Sequence, residues 1–165
     1  MVGTVTNVIT AVEVTESNAN DSPELPGLVA HTAERFKVKE VSADKAYVAH
    51  DNFRAIEAVG AVPYIPFKSN NQSMGPAAWR RAFHTFALER DKFLRHYHAR
   101  SNVETTFSAV KRLFGGSVRA KLPVAQKNEV LLKCLVYNVT CLVHAMYELG
   151  IEPLFPAVVT PIVLQ

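Results

Sequence analysis

Apolar and polar positions repeat with two different periods along the chain, and the period changes near its middle. Three segments rich in β-branched or apolar residues are predicted strands: 8–14, 38–43 and 62–68. Helical spacing separates them, in a helix that ends near Phe36 and in another at 51–58. Strands that alternate with helices predict an α/β layer fold, and the two prolines of 62–68 favour an edge position or irregular pairing for that strand.

From residue 77 onward the period is helical. We predict a helix from 77 to about 114, broken once near 86–90, and a long helix from 124 to 149 that Pro123 opens. The last helix has apolar residues almost all round, which favours burial in the core and leaves a contact with a partner as the alternative. Its cysteines, Cys134 and Cys141, are about two turns apart, too far to form a disulfide, so we expect free thiols.

Length and composition fit a single globular domain, with 165 residues, 48% hydrophobic and 20% charged. The first residues lack the basic start and apolar run of a secretory signal. The uncharged run 134–147 contains Asn138 and His144 and is shorter than the ~18 residues of a membrane span. We therefore expect a cytoplasmic protein without a membrane partner.

Positive charge is concentrated in one part of the sequence. Ten basic residues and three acidic ones lie between Arg80 and Lys121, which gives this window +7 while the whole chain is +3. Such segregation is typical of a surface that binds a polyanion, and a solvated helix face is the alternative.

One helical stretch combines a carboxylate with cations. At about 100° per residue, Tyr97, Arg100, Glu104 and Lys111 share a stripe roughly 60° wide. The adjoining apolar stripe, expected to face the core, consists of Val103, Phe107, Val110 and Phe114. Glu104 is therefore a candidate functional carboxylate at the rim of the core. A plain i,i+4 ion pair between Arg100 and Glu104 is the alternative.

A second candidate carboxylate follows the strand 38–43. Asp44 lies at its C-terminal end, where open α/β sheets place their ligands. A turn or capping role is the alternative for a lone aspartate at such a position.

These segments together resemble a known family. The spacing Tyr97-x2-Arg100-x3-Glu104-x6-Lys111 matches the Y-x2-R-x3-E-x6-K signature of insertion-sequence DDE transposases, which have an RNase-H-like core. The block Ser-Ala-Asp44-Lys-Ala-Tyr is similar to the family's segment around its second aspartate. The resemblance extends over roughly residues 3–150. It implies an α/β fold with an incomplete RNase-H-like core, a mixed sheet flanked by helices, and a helical C-terminal part.

The resemblance also implies a chemistry. Family members hold two divalent ions, normally Mg²⁺, between three carboxylates, and use them to cleave and join DNA. Asp44 and Glu104 would be the second and third catalytic and metal-binding carboxylates. DNA, the transposon ends, would be bound by Tyr97, Arg100 and Lys111. The basic window adds Arg112, Arg119 and Lys121 as candidate DNA-binding residues.

The chain departs from the family's pattern at its start. None of the acidic residues before Asp44 has the context of the family's first aspartate, so residues 1–150 are expected to be a partial catalytic domain without the first strand and first Asp. Residues 151–165 are an apolar tail with three prolines. Three hypotheses follow: a transposase piece, active only in a longer product or with an upstream half supplied in trans; a DNA-binding remnant or regulator without catalysis that antagonises full-length transposase; and an unrelated α/β interaction domain. The candidate protein partners are full-length transposase, an upstream half and a second copy of the chain.

Overall fold

A computed structural model describes residues 1–15 and 19–152, and within them the chain forms six helices and two short strands. In chain order these are α1 Leu25–Ala33, β1 Glu40–Ser42, α2 His50–Ala58, β2 Val62–Tyr64, α3 Ala77–Leu88, α4 Arg90–Tyr97, α5 Ser101–Phe114 and α6 Pro123–Leu149. The predicted α/β class is confirmed, and the described chain is mostly helical.

The two strands form a parallel pair joined by a helical crossover. Glu40 pairs with Val62 and Ser42 with Tyr64, and α2 runs between the strands. A parallel pair needs such a crossover because its strands run in the same direction. β2 ends at Tyr64 and so stops before Pro66, in agreement with the irregular pairing that its prolines predict.

The main core fills the space between this pair and helices α1, α2 and α3. An aromatic group dominates it: the rings of Phe53 and Trp79 lie 5.0 Å apart, and Phe67 packs on both. Phe53 and Ile56 are fully buried on α2. Because a large buried aromatic contributes most of its area to such contacts, this group holds α2 and α3 against the sheet.

The predicted strand 8–14 is wrong. Its only ladder contact is an isolated antiparallel bridge between Val2 and Ile9, and residues 10–14 have no regular structure. The side chain of Asn138 on α6 forms hydrogen bonds with both backbone groups of Ile9. Its carbonyl oxygen accepts from the N–H at 2.8 Å, and its amide donates to the C=O at 2.7 Å. A β-branched run forms a strand only beside another strand, and here an amide side chain occupies that place.

The helical half follows the prediction with one addition. The predicted break lies at Glu89, between α3 and α4, and α5 ends at Gly115, whose φ of 82° suits glycine. A single 3-10 turn at His98–Arg100, which the sequence did not predict, separates α4 from α5. Side chains three residues apart are eclipsed in such a turn, so Arg100 lies over the ring of Tyr97, 5.7 Å from its centre.

The predicted apolar stripe of α5 is also partly wrong. Val110 is buried, but Phe107 is 39% exposed, while the buried position next to Val110 is the polar Thr106. The face of α5 that carries Thr106 and Val110 lies against α6, whereas Val103 and Phe107 line an open groove. A helical wheel cannot distinguish a neighbouring helix from a groove, since both border an apolar face.

The exposure of helix α6 contradicts the prediction that its apolar surface is buried in the core. Only Cys134 and Tyr137 are buried on it, and Leu132, Leu135 and Val139 are each at least half exposed. By length and composition alone, α6 could cross a membrane, but core helices of soluble proteins meet the same criteria. Of the residues in its most apolar stretch, 11% are buried. The expected burial of α6 is therefore wrong for most of the helix. Both cysteines are free, as expected.

The tail 151–165 lies outside the described residues except for Ile151 and Glu152.

Because Asn138 alone satisfies the backbone of Ile9, we expect Asn138→Ala to lower the free energy of unfolding by about 1–3 kcal/mol, the range for a part-buried polar pair left without its partner. Urea denaturation measures the effect. Asn128→Ala is the matched control, at an exposed position of the same helix, and should change stability little. Equal effects of the two substitutions would contradict this role.

Candidate active site at the end of strand β1

The site is organised around the guanidinium of Arg100. Its Nη1 lies 2.7 Å from Oε1 of Glu104 and 3.8 Å from Oδ2 of Asp44. Asp44 follows β1 and Glu104 lies in the first turn of α5, so the fold brings the two predicted catalytic carboxylates to one cation. Burial is the largest single influence on the pKa of Arg100 and lowers it, but the hydrogen bonds and charges of Glu104 and Tyr97 together outweigh it, so the pKa lies above its ordinary value.

His96 holds the strand and the helix in this relation. Its Nδ1 lies 2.8 Å from the carboxylate of Glu40, and its backbone oxygen accepts from the hydroxyl of Ser42 at 3.0 Å. Its ring also stacks on Tyr64, with the ring centres 4.4 Å apart. The end of α4 is therefore attached to both strands, one turn before Arg100.

The alternatives for these residues are also visible in the geometry. Asp44 caps the short turn that follows it, since its Oδ1 accepts from the N–H of Ala46 at 3.4 Å. Arg100 and Glu104 form an i,i+4 ion pair. The two roles of Asp44 use different oxygens: Oδ1 caps the turn, and Oδ2 faces Arg100. Capping and site formation are therefore compatible.

A groove of about 410 Å³ runs along the free edge of β1. Its lining includes strand β1, most of the irregular segment 11–15, and Val103 and Phe107 of α5. β2 pairs with the opposite edge, and no strand of the described chain pairs with this one. Asp44 and Arg100 lie on the groove, while Glu104 faces a shallow depression on α5 that Arg112 also borders.

The predicted DNA-binding residues divide into two groups. Tyr97 and Arg100 are half-buried at the carboxylates. Four others are exposed and form no ion pair within residues 1–15 and 19–152: Lys111, Arg112, Arg119 and Lys121. Of the remaining cations in the basic window, Arg81 and Lys92 are paired with Glu57 and Glu89. Arg80, Arg90 and Arg95 are exposed and form no ion pair among the described residues, so unpaired positive charge lies on α3 and α4 as well as from α5 onward.

The chain belongs to the transposase DDE domain family, because the model of that family matches residues 1–139. This confirms the family that the signature indicated and makes an unrelated interaction domain the wrong hypothesis. Members of the family generally use a divalent metal ion, and in the described residues no cluster of three or more histidine, cysteine or acidic side chains could hold one. No solved structure matches the chain.

Sequence reasoning did not find three residues that the structure makes prominent: His96, Glu129 and Asn138. Asn138 was a detectable signal as a polar residue inside an apolar run, and Glu129 as an i,i+4 partner of Lys133. The role of His96 depends on contacts with Glu40 and Ser42, which are far from it in sequence, and no local pattern reveals them.

The carboxylates at Arg100 contribute little to stability because both are substantially exposed, 47% for Asp44 and 64% for Glu104. We expect Asp44→Asn and Glu104→Gln each to change the free energy of unfolding by less than about 1 kcal/mol, the range for exposed ion pairs. Urea denaturation beside the wild type tests this. A loss of several kcal/mol in either variant would assign that carboxylate a structural role.

Proposed function

We propose that this chain carries two of the three carboxylates of a DDE transposase centre, Asp44 and Glu104, and takes part in DNA transposition. The observation that carries the proposal is the approach of both carboxylates to Arg100 in a chain of this family. We further propose that residues 1–150 form a partial catalytic domain, in which the β1–β2 pair and its helices belong to an RNase-H-like core, in a cytoplasmic protein.

The donor set suits Mg²⁺, which prefers oxygen ligands and is held by one or two carboxylates with water and phosphate oxygens. When bound, such an ion lowers the pKa of water and stabilises the leaving oxygen of a phosphodiester. Asp44 and Glu104 would hold it. Arg100 would bind a terminal DNA phosphate in a bidentate fork, Tyr97 would support it, and Lys111 would act as a point charge. Because Arg100 now contacts both carboxylates, it has to release at least one of them to bind phosphate.

A third carboxylate has a suitable place in the groove beside β1. The free edge of β1 offers backbone N–H and C=O groups, and the groove separates it from segment 11–15. A strand from another segment or another polypeptide could pair with this edge, as extended peptides do with open sheet edges. An aspartate on that strand would lie beside Asp44. This arrangement supports partnership with an upstream half or with full-length transposase.

The apolar face of α6 supports a second copy of the chain as a further partner. Leu132, Leu135, Val139, Met146 and Leu149 are exposed at the a and d spacing of a heptad repeat. Two such helices pack knobs-into-holes along this seam.

A regulator that binds DNA without catalysis is the second candidate function. The four exposed cations from Lys111 to Lys121 favour it, because phosphate binding by them needs no third carboxylate. The two candidates differ in whether cleavage can be restored.

DNA binding is the first test. We expect the affinity of the purified chain for duplex DNA to fall steeply with salt, and Arg100→Ala/Lys111→Ala to reduce the slope of log affinity against log salt by about 2, roughly one per lost phosphate contact. Fluorescence anisotropy over a salt series, with and without Mg²⁺, measures this. The control Arg35→Ala/Lys37→Ala removes the same charge outside the basic window. A flat salt dependence, or equal losses in both double variants, would exclude the proposed interface.

Cleavage separates the two functions. We expect no cleavage of transposon-end DNA by the chain alone with Mg²⁺, because two carboxylates do not hold two ions, and cleavage once a polypeptide with the Asp-bearing upstream strand is added. Gel analysis of labelled DNA measures it. Glu104→Gln should abolish the activity and Glu34→Gln, an exposed acid elsewhere, should not. Cleavage by the chain alone that needs Glu104 would disprove the requirement for a partner, and no cleavage with the added strand would favour the regulator.

A further inference from the structure

The loop between α5 and α6 is fixed by side chains of α6 that the proposed site does not use. Oε2 of Glu129 accepts the backbone N–H groups of Arg119 and Ala120, both at 2.9 Å. Lys133 donates to the backbone oxygen of Ser117 at 2.8 Å and lies 3.0 Å from Oε1 of Glu129. Gln126 donates to the backbone oxygen of Ala120 at 3.0 Å. We name Gln126, Glu129 and Lys133 the loop clamp.

The ion pair of the loop clamp is partly shielded from solvent. The side chains of Glu129 and Lys133 are 23% and 17% exposed, the least of any ion pair in the described chain. The hydrogen bond from Ala120, followed by that from Lys133, lowers the pKa of Glu129 to about 2. A carboxylate with a depressed pKa stabilises the fold above its ordinary pKa and stops doing so only as the pH falls towards the depressed value. Glu129 therefore stays ionised as the acceptor of the loop amides at the near-neutral pH of a DNA-binding measurement.

The clamp binds backbone atoms only, and the basic side chains remain outside it. Arg119 and Lys121 are exposed, and neither forms an ion pair among the residues described. A loop that begins with Gly115-Gly116 would otherwise sample many conformations. Ordering such a segment during binding opposes association, so a loop ordered in advance binds more tightly.

We propose that Glu129, supported by Lys133, is a positioning residue for DNA: it fixes the backbone of 117–120 so that Arg119 and Lys121 meet phosphates in a preformed arrangement. This inference rests on the proposed DNA-binding function of the chain. Glu129 itself touches no DNA, and its negative charge opposes DNA binding in purely electrostatic terms.

Because charge and positioning predict opposite changes in DNA affinity, the direction of the change in a Glu129 variant distinguishes them. Removal of a negative charge strengthens DNA binding if charge alone matters. Loss of the clamp weakens it. We expect Glu129→Ala to bind duplex DNA about five- to tenfold more weakly, while Glu129→Gln, which keeps an acceptor oxygen, recovers most of the affinity. The control Glu148→Ala removes an acid from the same helix, away from the loop, and should bind DNA equally or more tightly.

A double-variant comparison separates positioning from general damage to the fold. In an Arg119→Ala/Lys121→Ala background, Glu129→Ala should not weaken DNA binding further, because the cations that it positions are gone. Hydrogen exchange of the Arg119 and Ala120 amides provides a readout without DNA: slow in the wild type and fast in Glu129→Ala. Fast exchange in the wild type would overturn the clamp.

The outcomes distinguish this inference from the function on which it rests. Tighter DNA binding by Glu129→Ala, or equal weakening in both backgrounds, overturns the positioning role and leaves the proposed function intact. Absence of salt-dependent binding by the wild type overturns the proposed function and this inference with it.

Discussion

The geometry of the candidate site depends on how His96 attaches α4 to the parallel strand pair. The strands alone fix Asp44, because it is the second residue after Ser42 at the end of β1. Arg100 and Glu104 belong to a different part of the chain and are brought to Asp44 by α4, which contacts the strands through His96 at Glu40, Ser42 and Tyr64 and through Phe93 at Tyr64. The 3-10 turn that follows then rotates Arg100 towards both carboxylates. A site built this way is held by neighbouring contacts rather than by the exposed ion pairs at its centre, which are individually weak.

The described chain leaves two surfaces without the neighbours that their chemistry suits. The free edge of β1 faces a groove lined by apolar side chains, and α6 exposes a seam of leucine and valine. Sheet edges and apolar helix faces are the surfaces through which proteins add strands and helices. Both features favour a chain that works within a larger assembly. They also agree with the proposal that this chain carries only two of the three carboxylates of a DDE centre.

The basic residues act in two different settings. Arg100 is half-buried between carboxylates, so phosphate binding there competes with an existing ion pair. Arg119 and Lys121 are exposed on a loop whose backbone is held by α6, so phosphate binding there meets no such competition. A polyanion would thus be held first by the exposed cations, and the contact with Arg100 would be coupled to rearrangement of the carboxylates.

The sequence by itself determined most of the local elements and indicated the residues that we propose for the site. Helix ends followed from Pro123 and Gly115, and the spacing from Tyr97 to Lys111 indicated the family. Tertiary structure decided whatever depended on a distant neighbour. Segment 8–14 is not a strand because the side chain of Asn138 forms hydrogen bonds with the backbone of Ile9. Helix α6 is exposed because few residues pack against it. Periodicity shows which face of a segment is apolar, but only contacts between distant residues decide whether a neighbour covers that face.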